Sequence, residues 1–239
     1  MSITENKERI GCFTSSNIHK LMKRGRGKDE PFSKPALTYI QEKQIEVRMG
    51  RSIEVSGYSR AAAWGTFLEM FVFEKLGLAY EITSNKTDVH PTIPHWSGSK
   101  DLIVRGVKVS DLKCYQPKKF ALYTDALLSK DVQRIKEEFP EEYWQLGSNA
   151  IINQVPNVEA ITYMPYESEL DDLRDFAANY EGSDQWKYRF IYEAPKHELA
   201  YLPDGGYYKD LNKFEFEFPK EDRELLESRV LEAIELLTK

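Results

Sequence analysis

The chain has 239 residues, with 33 Lys+Arg against 39 Asp+Glu, a formal net charge of −6 and 41% apolar residues. This suits a single globular domain over residues 1–239 and argues against a protein that coats nucleic acid through bulk charge. The expected setting is cytoplasmic, with no membrane partner: hydrophobic runs are too short for a span and no apolar leader opens the sequence.

Cys12 and Cys114 give no disulfide framework, and His19, His90, His95 and His197 lack zinc-ligand spacing. There is no Gly-rich nucleotide loop, internal repeat or low-complexity segment.

The first third reads as helical. Thr14 to Lys23 is an expected helix through Ile18, Leu21 and Met22, capped by Thr14, Ser15 or Ser16. Arg9 precedes these hydroxyls. A helix start with an arginine beside it suits a phosphate, so Arg9, Thr14 and Ser16 are candidate substrate contacts. The competing reading pairs Arg9 with Glu5 or Glu8. Lys20, Lys23, Arg24, Arg26 and Lys28, broken by Gly25 and Gly27, form a basic run that suits phosphates.

Helices are next expected at Pro35 to Met49 and Arg60 to Leu76. In the second, Trp64, Leu68, Phe71, Val72 and Leu76 recur at helical spacing. Glu69 lies one step from that stripe, where it is either a surface glutamate or a carboxylate at the edge of a buried face.

Short strands are expected at Tyr80 to Thr83 and Asp88 to Pro91, followed by a hairpin from Leu102 to Tyr115. Asp101 opens the hairpin, Arg105 and Gly106 turn it, and Asp111-Leu112-Lys113 lies on the returning strand. Alternation places Val107, Val109, Asp111 and Lys113 on one face. Alone, Asp-x-Lys is usually a solvated edge pair. A face that begins apolar and ends on a carboxylate and an ammonium is unusual, because unpaired buried charge is costly. Asp101, Asp111 and the Leu112 carbonyl are hard oxygen donors suited to magnesium, and Lys113 can orient a water. Cys114 points to the opposite face.

Helices return at Pro117 to Leu127 and Pro140 to Gln154. Lys118 and Lys119 flank the hairpin and are candidate phosphate contacts, whereas Lys130, Arg134 and Lys136 read as a solvated face. Pro140, Glu141 and Glu142 favour a helix start. Tyr143, Leu146, Ala150 and Ile151 trace its packed face. Gln145 beside that face either reaches a lysine or water, or is exposed. A strand at Val158 to Met164, a polar helix at Ser168 to Tyr180, a loop at Glu181 to Asp184, strands at Tyr188 to Glu193 and Phe214 to Phe218, and an amphipathic helix at Pro219 to Leu237 complete the chain. The expected class is α/β (α+β), a mixed central sheet flanked by helices.

Five pieces together resemble the lambda-type exonuclease and viral recombinase family of PD-(D/E)xK nucleases. They are Arg9-x-Gly11-x-x-Thr14-x-Ser16, Ala63-Trp64-Gly65-x-x-x-Glu69, Ser99-x-Asp101, Asp111-x-Lys113 and Tyr143-x-Gln145. They follow the family's order with similar separations. Two departures are Lys100 and Leu102 where the family often has proline and glycine, and Asp111 where it often has glutamate.

The resemblance implies a restriction-endonuclease-like core and a magnesium-dependent exonuclease of phage or prophage recombination, with Mn2+ as a substitute. It would degrade the 5′-ended strand of duplex DNA and leave a 3′ single strand. Asp101, Asp111 and the Leu112 carbonyl would hold the metal, and Glu69 a second ion or its waters. Lys113 would activate water, Gln145 would support it, and Arg9, Thr14 and Ser16 would grip a terminal 5′ phosphate. A ring trimer around double-stranded DNA, a single-strand annealing partner and a bacterial host are also implied. The alternatives are a structure-specific or restriction-type endonuclease on the same core, or a non-catalytic DNA-end-binding module.

Overall fold

Residues 7–27, 30–53, 57–76, 80–83 and 86–238 are described by a computed structural model. Glu5 and Lys28, named above as a partner for Arg9 and a phosphate contact, lie outside them. The chain begins with β1 (Phe13–Thr14), a 3-10 helix at Ser15–Met22, α1 (Lys34–Met49) and α2 (Arg60–Leu76). Strands β2 (Glu81–Ile82), β3 (Asp88–Val89), β4 (Trp96–Gly98), β5 (Leu102–Val104) and β6 (Lys108–Lys113) follow. Then come α3 (Pro117–Ser129), α4 (Val132–Glu138), α5 (Pro140–Ile152) and β7 (Asn157–Tyr163). The chain closes with α6 (Leu170–Ala178), α7 (Arg189–Glu193), β8 (Leu211–Glu217) and α8 (Lys220–Leu237).

The main sheet is five-stranded and mixed, in the order β2-β5-β6-β7-β8. Among the described strands of this sheet only β6 and β7 pair in parallel, and α3, α4 and α5 make the crossover that such a pair requires. A smaller sheet, β1-β4-β3, carries the chain into the hairpin. Helices cover both faces of the main sheet. Val109 and Val158 pack with Tyr143 and Leu146 of α5 and with Leu226 and Val230 of α8. Leu112 and Ile161 pack with Phe67 and Leu68 of α2, Leu173 of α6 and Ile191 of α7. The central strand is therefore buried on both sides, as parallel-paired strands usually are. Val109, Ser110, Asp111 and Leu112 are all buried. The expected α/β class with a mixed, helix-flanked sheet is the one found.

Four expectations change. Tyr188 to Glu193 is not a strand: Arg189–Glu193 is helical, and its alternating aromatics concealed a different period. Tyr188 and Ile191, three residues apart, are the buried positions, which is one helical face. Ser15–Met22 is a 3-10 helix, and Thr14 makes no side-chain cap bond because it is paired in β1 with Ser97. Val107 is exposed in the turn, so the shared face of β6 begins at Val109. Arg134 and Lys136 lie on α4, which Asp131 caps by accepting from the backbone N–H of Gln133 at 3.0 Å and of Arg134 at 3.2 Å. Lys136 is not a freely solvated charge: it bonds Asp222 at 2.7 Å and lies over the Trp144 ring.

Candidate active site

The site forms where β5 ends and β6 continues. Leu102 pairs with Ser110, so Asp101 and Asp111 are the next positions just past the ladder. With β5 gone, the backbone N–H of Leu112 has no strand partner on that side, and it donates to Asp101 Oδ2 at 2.7 Å. Within a strand, one residue's N–H and C=O point to the same side. The Leu112 carbonyl therefore faces the same gap as Asp101. Thr83 holds the approach, donating its N–H to the Asp101 carbonyl at 2.8 Å and its hydroxyl to the Lys100 carbonyl at 3.2 Å. Lys100, almost fully buried, is tied to Asp88 of β3.

Asp111 and Lys113 share the face turned to α5, as alternation requires. Gln145 stands across from them and bridges both, donating Nε2 to Asp111 Oδ1 at 2.8 Å and accepting from Lys113 Nζ at 3.2 Å. Lys113 Nζ is also 2.8 Å from Asp111 Oδ2. That ion pair makes the shared lysine the one partner of the buried Asp111 Oδ2 among the described residues. Glu69 enters from α2, which lies tight against the strand end. A Cβ on Gly65, one turn earlier, would stand 3.1 Å from the Cys114 carbonyl. Cys114 is buried, as expected for the face opposite Lys113.

The electrostatics record an excess of carboxylate. Burial pushes Glu69 up to about 7; Lys113 counteracts this and the Asp111 charge adds to it. Asp101 is raised by burial and by Asp111, with Glu69 adding and Lys113 opposing. For Lys113 burial opposes the charge, yet the three carboxylates outweigh it and its pKa rises. Among the described residues, no group of three His, Cys, Asp or Glu side chains is already arranged around a metal ion. The donors nevertheless fit a hard divalent cation in kind: two carboxylates, Asp101 and Asp111, and a strand carbonyl.

The hydroxyl-rich segment meets the same helix higher up. Ser15 Oγ is 2.7 Å from Ser148 Oγ, which also accepts from Trp96 Nε1 at 2.8 Å. Asn149 donates to the Ser99 carbonyl at 3.1 Å. Gly98 makes this possible, since a Cβ there would lie 2.2 Å from Ser15 Oγ and 2.3 Å from Asn149 Oδ1. Thr14 Oγ1 and Ser16 Oγ are 3.4 Å apart, and Thr14 N–H donates to the Tyr39 hydroxyl. Arg9, half-buried, makes no hydrogen bond or ion pair with either hydroxyl or with Glu8 among the described residues.

Lys118 is exposed, whereas Lys119 pairs with Glu142 at 2.7 Å and caps the Tyr115 ring. Tyr115 in turn donates to Glu142. This trio borders the site, and the Asp111 charge contributes to the raised Tyr115 pKa, after burial and Glu142. Sequence reasoning had taken Lys119 alone. Glu142 stands three residues before Gln145 on α5, and that helical spacing was the available signal. Tyr143, quoted with Gln145, turns away and donates to Asp222 at 2.6 Å.

No protein-family model and no curated protein matches the chain. Solved structures share its fold. An alkaline exonuclease (LHK-Exo) from Laribacter hongkongensis superposes with a TM-score of 0.62 at 15% identity, covering 96% of this chain and 89% of that one. The same enzyme in complex with dAMP gives 0.64 at 14% identity, covering 97% and 90%. A phage related exonuclease from Haemophilus somnus 129PT gives 0.59 at 14% identity, covering 95% and 93%. The chain therefore has the fold of these exonucleases over nearly its whole length.

Proposed function

We propose that residues 1–239 form a single metal-dependent deoxyribonuclease domain, an exonuclease that digests the 5′-ended strand of linear duplex DNA. The observation that carries this is the Gln145 bridge between Asp111 and Lys113, beside Asp101 anchored on the Leu112 N–H. Asp101, Asp111 and the Leu112 carbonyl would hold Mg2+, which Mn2+ can replace, with Glu69 binding a second ion or its waters. When bound, the ion supplies a more acidic water and neutralises charge on the scissile phosphate. Lys113 orients the attacking water and balances the negative charge that builds on the phosphate. Gln145 fixes the directions of Lys113 and Asp111 together. Arg9, Thr14 and Ser16, with Lys118 and Lys119, would hold phosphates of the end being digested.

The fold shared with exonucleases, one of them phage related, supports a role in phage or prophage recombination in the bacterial cytoplasm. There a ring trimer would enclose the duplex and pass a 3′ single strand to an annealing protein. An acidic chain gains from a ring, because its cations can line the channel while its acids face outward.

The test is digestion of linear and covalently closed duplexes in magnesium and in EDTA. Release of nucleotides from the linear form alone, only with metal, is expected. Cleavage of the closed circle would replace this reading with an endonuclease. No release with magnesium or manganese would replace it with a non-catalytic end-binding module.

A further inference from the structure

A second feature lies along α2 and is not used by the proposed chemistry. A groove of about 590 Å³ runs beside the helix start, within the range of small-ligand sites. Among the described residues, Tyr58, Ala62, Thr66, Trp186, Lys187 and Tyr188 contribute to its walls. Trp186 is 58% exposed and Tyr58 is 49% exposed. Single exposed apolar residues need no explanation, but a tryptophan and a tyrosine meeting in one groove do.

Their rings are 5.2 Å apart with planes 45° from parallel, so neither covers the other's face. The Tyr58 hydroxyl donates to the Lys187 carbonyl at 3.1 Å and pins the two loops together. Lys187 Nζ lies 5.9 Å from the Trp186 ring centre and is ion-paired at 3.5 Å with Asp184, which also lines the groove.

The groove and the candidate site share helix α2. Ala62, Thr66 and Glu69 fall on one face of α2, being four and then three residues apart. At 1.5 Å rise per residue, Thr66 is about 4.5 Å and Ala62 about 10 Å along the axis from Glu69. Tyr188, on the groove floor, packs on Phe67, and the Glu69 charge is among the causes of its raised pKa, after burial and Asp184.

We propose that this groove binds an unpaired nucleobase of a single DNA strand at the mouth of the candidate active site. The base stacks on the open face of Trp186, and Lys187 contacts the adjoining phosphate. Aromatic platforms with a nearby cation suit unpaired strands of any sequence, because every base has a π-face. The inference rests on the nuclease reading and assigns the DNA form that passes beside it.

Binding is measured on the full chain in EDTA, so that no turnover intervenes. The chain has four tryptophans, and Trp64, Trp96 and Trp144 are buried, so quenching reports on Trp186. A short oligo(dT) should quench the emission, whereas an abasic strand of equal length should bind more weakly. By anisotropy of labelled oligo(dT), Trp186→Ala should lower affinity about 5- to 150-fold, and Trp186→Phe should retain most of it.

Equal affinity of base-bearing and abasic strands, or unchanged affinity of Trp186→Ala, overturns the proposal. So does an emission shift on dilution without DNA, which would mark a surface for a second copy. Duplex digestion on the same preparations separates the two readings. Quenching without digestion breaks the nuclease reading, and digestion without quenching breaks only the base site.

Discussion

Strand β6 carries Lys108 at one end and Lys113 at the other, and the two ends handle buried carboxylates in opposite ways. At the Lys108 end, Glu159 is the buried acid. It accepts from the Tyr80 hydroxyl at 2.9 Å, Lys108 at 2.9 Å and Ser110 at 2.8 Å. Donors there meet every need of the acid, and Lys108 has a second partner in Glu215. At the Lys113 end, Glu69, Asp101 and Asp111 share one lysine, which is also the partner of Asp111 Oδ2. Buried charge that the fold itself satisfies belongs to stability. Buried carboxylates left short of cations are relieved by protonation or by a bound cation.

The sharpest way to break this comparison is to substitute both ends. Lys113→Ala and Asp101→Asn should each lower DNA digestion by about 10²–10⁴-fold, the range for a group that handles the reacting proton or water. Neither should unfold the protein. Asp101→Asn can still accept from the Leu112 N–H and removes one of the crowded charges, so its melting temperature in EDTA should equal or exceed that of the parent. Near-parental activity in either variant would sink the site assignment.

Glu159→Ala should behave in the reverse sense. It leaves Tyr80 and Ser110 without this acceptor and Lys108 with Glu215 alone, and breaking a buried pair from one side costs about 3–5 kcal/mol. Urea denaturation should show that loss, while digestion per folded molecule stays close to parental. If stability is unchanged, the Lys108 end is no more structural than the Lys113 end.

Proton linkage sharpens the contrast further. Glu69 titrates near 4.5 when unfolded and near 7 when folded. Between those values the folded state binds more protons, so metal-free stability should fall as pH rises from about 4.5 through 7. The full effect is on the order of 3 kcal/mol, at 1.36 kcal/mol for each pH unit. Below 4.5 the penalty is absent. Chemical denaturation across that window in EDTA should show the slope, to which Asp101, also raised by burial and Asp111, adds in the same sense, and Glu69→Gln should reduce it. An unchanged slope in Glu69→Gln would mean that another group carries it.

Much of this was legible in the chain. A strand period of two makes the Asp111 and Lys113 charge pattern unusual, whereas Glu69 alone reads as readily as a surface glutamate and enters the candidate site through the resemblance. Gln145 reaching a lysine was one of two readings, but its second contact, to Asp111, was not legible, since it joins residues 34 apart and depends on how α5 crosses β6. Helix α7 was misread because Tyr188, Phe190 and Tyr192 alternate like a strand while the packing uses Tyr188 and Ile191. Strand β4 was missed because it has only three residues, and its identity comes from pairing with β1 and β3 rather than from its own pattern. The crossover helix α4 was taken for a charged surface, because the pairing of Lys136 with Asp222 is a tertiary fact.

The smallest expected effect concerns the other end of the substrate. Arg9 makes no ion pair or hydrogen bond with its side chain among the described residues, so its guanidinium has no evident structural task. It precedes Thr14 and Ser16, whose hydroxyls lie 3.4 Å apart on the segment that packs against α5 through Ser15 and Ser148. A guanidinium can donate two bonds to one phosphate dianion, and two adjacent hydroxyls extend that donor set. A duplex with a 5′ phosphate should therefore be digested faster than one with a 5′ hydroxyl. Arg9→Ala should remove about 1.5–3 kcal/mol of that preference, roughly 10- to 150-fold in the ratio of rates. Magnesium dependence and metal-free stability should stay unchanged in the variant. If Arg9 instead pairs with a glutamate of its own terminus in solution, the ratio of rates on the two substrates will be the same in both proteins.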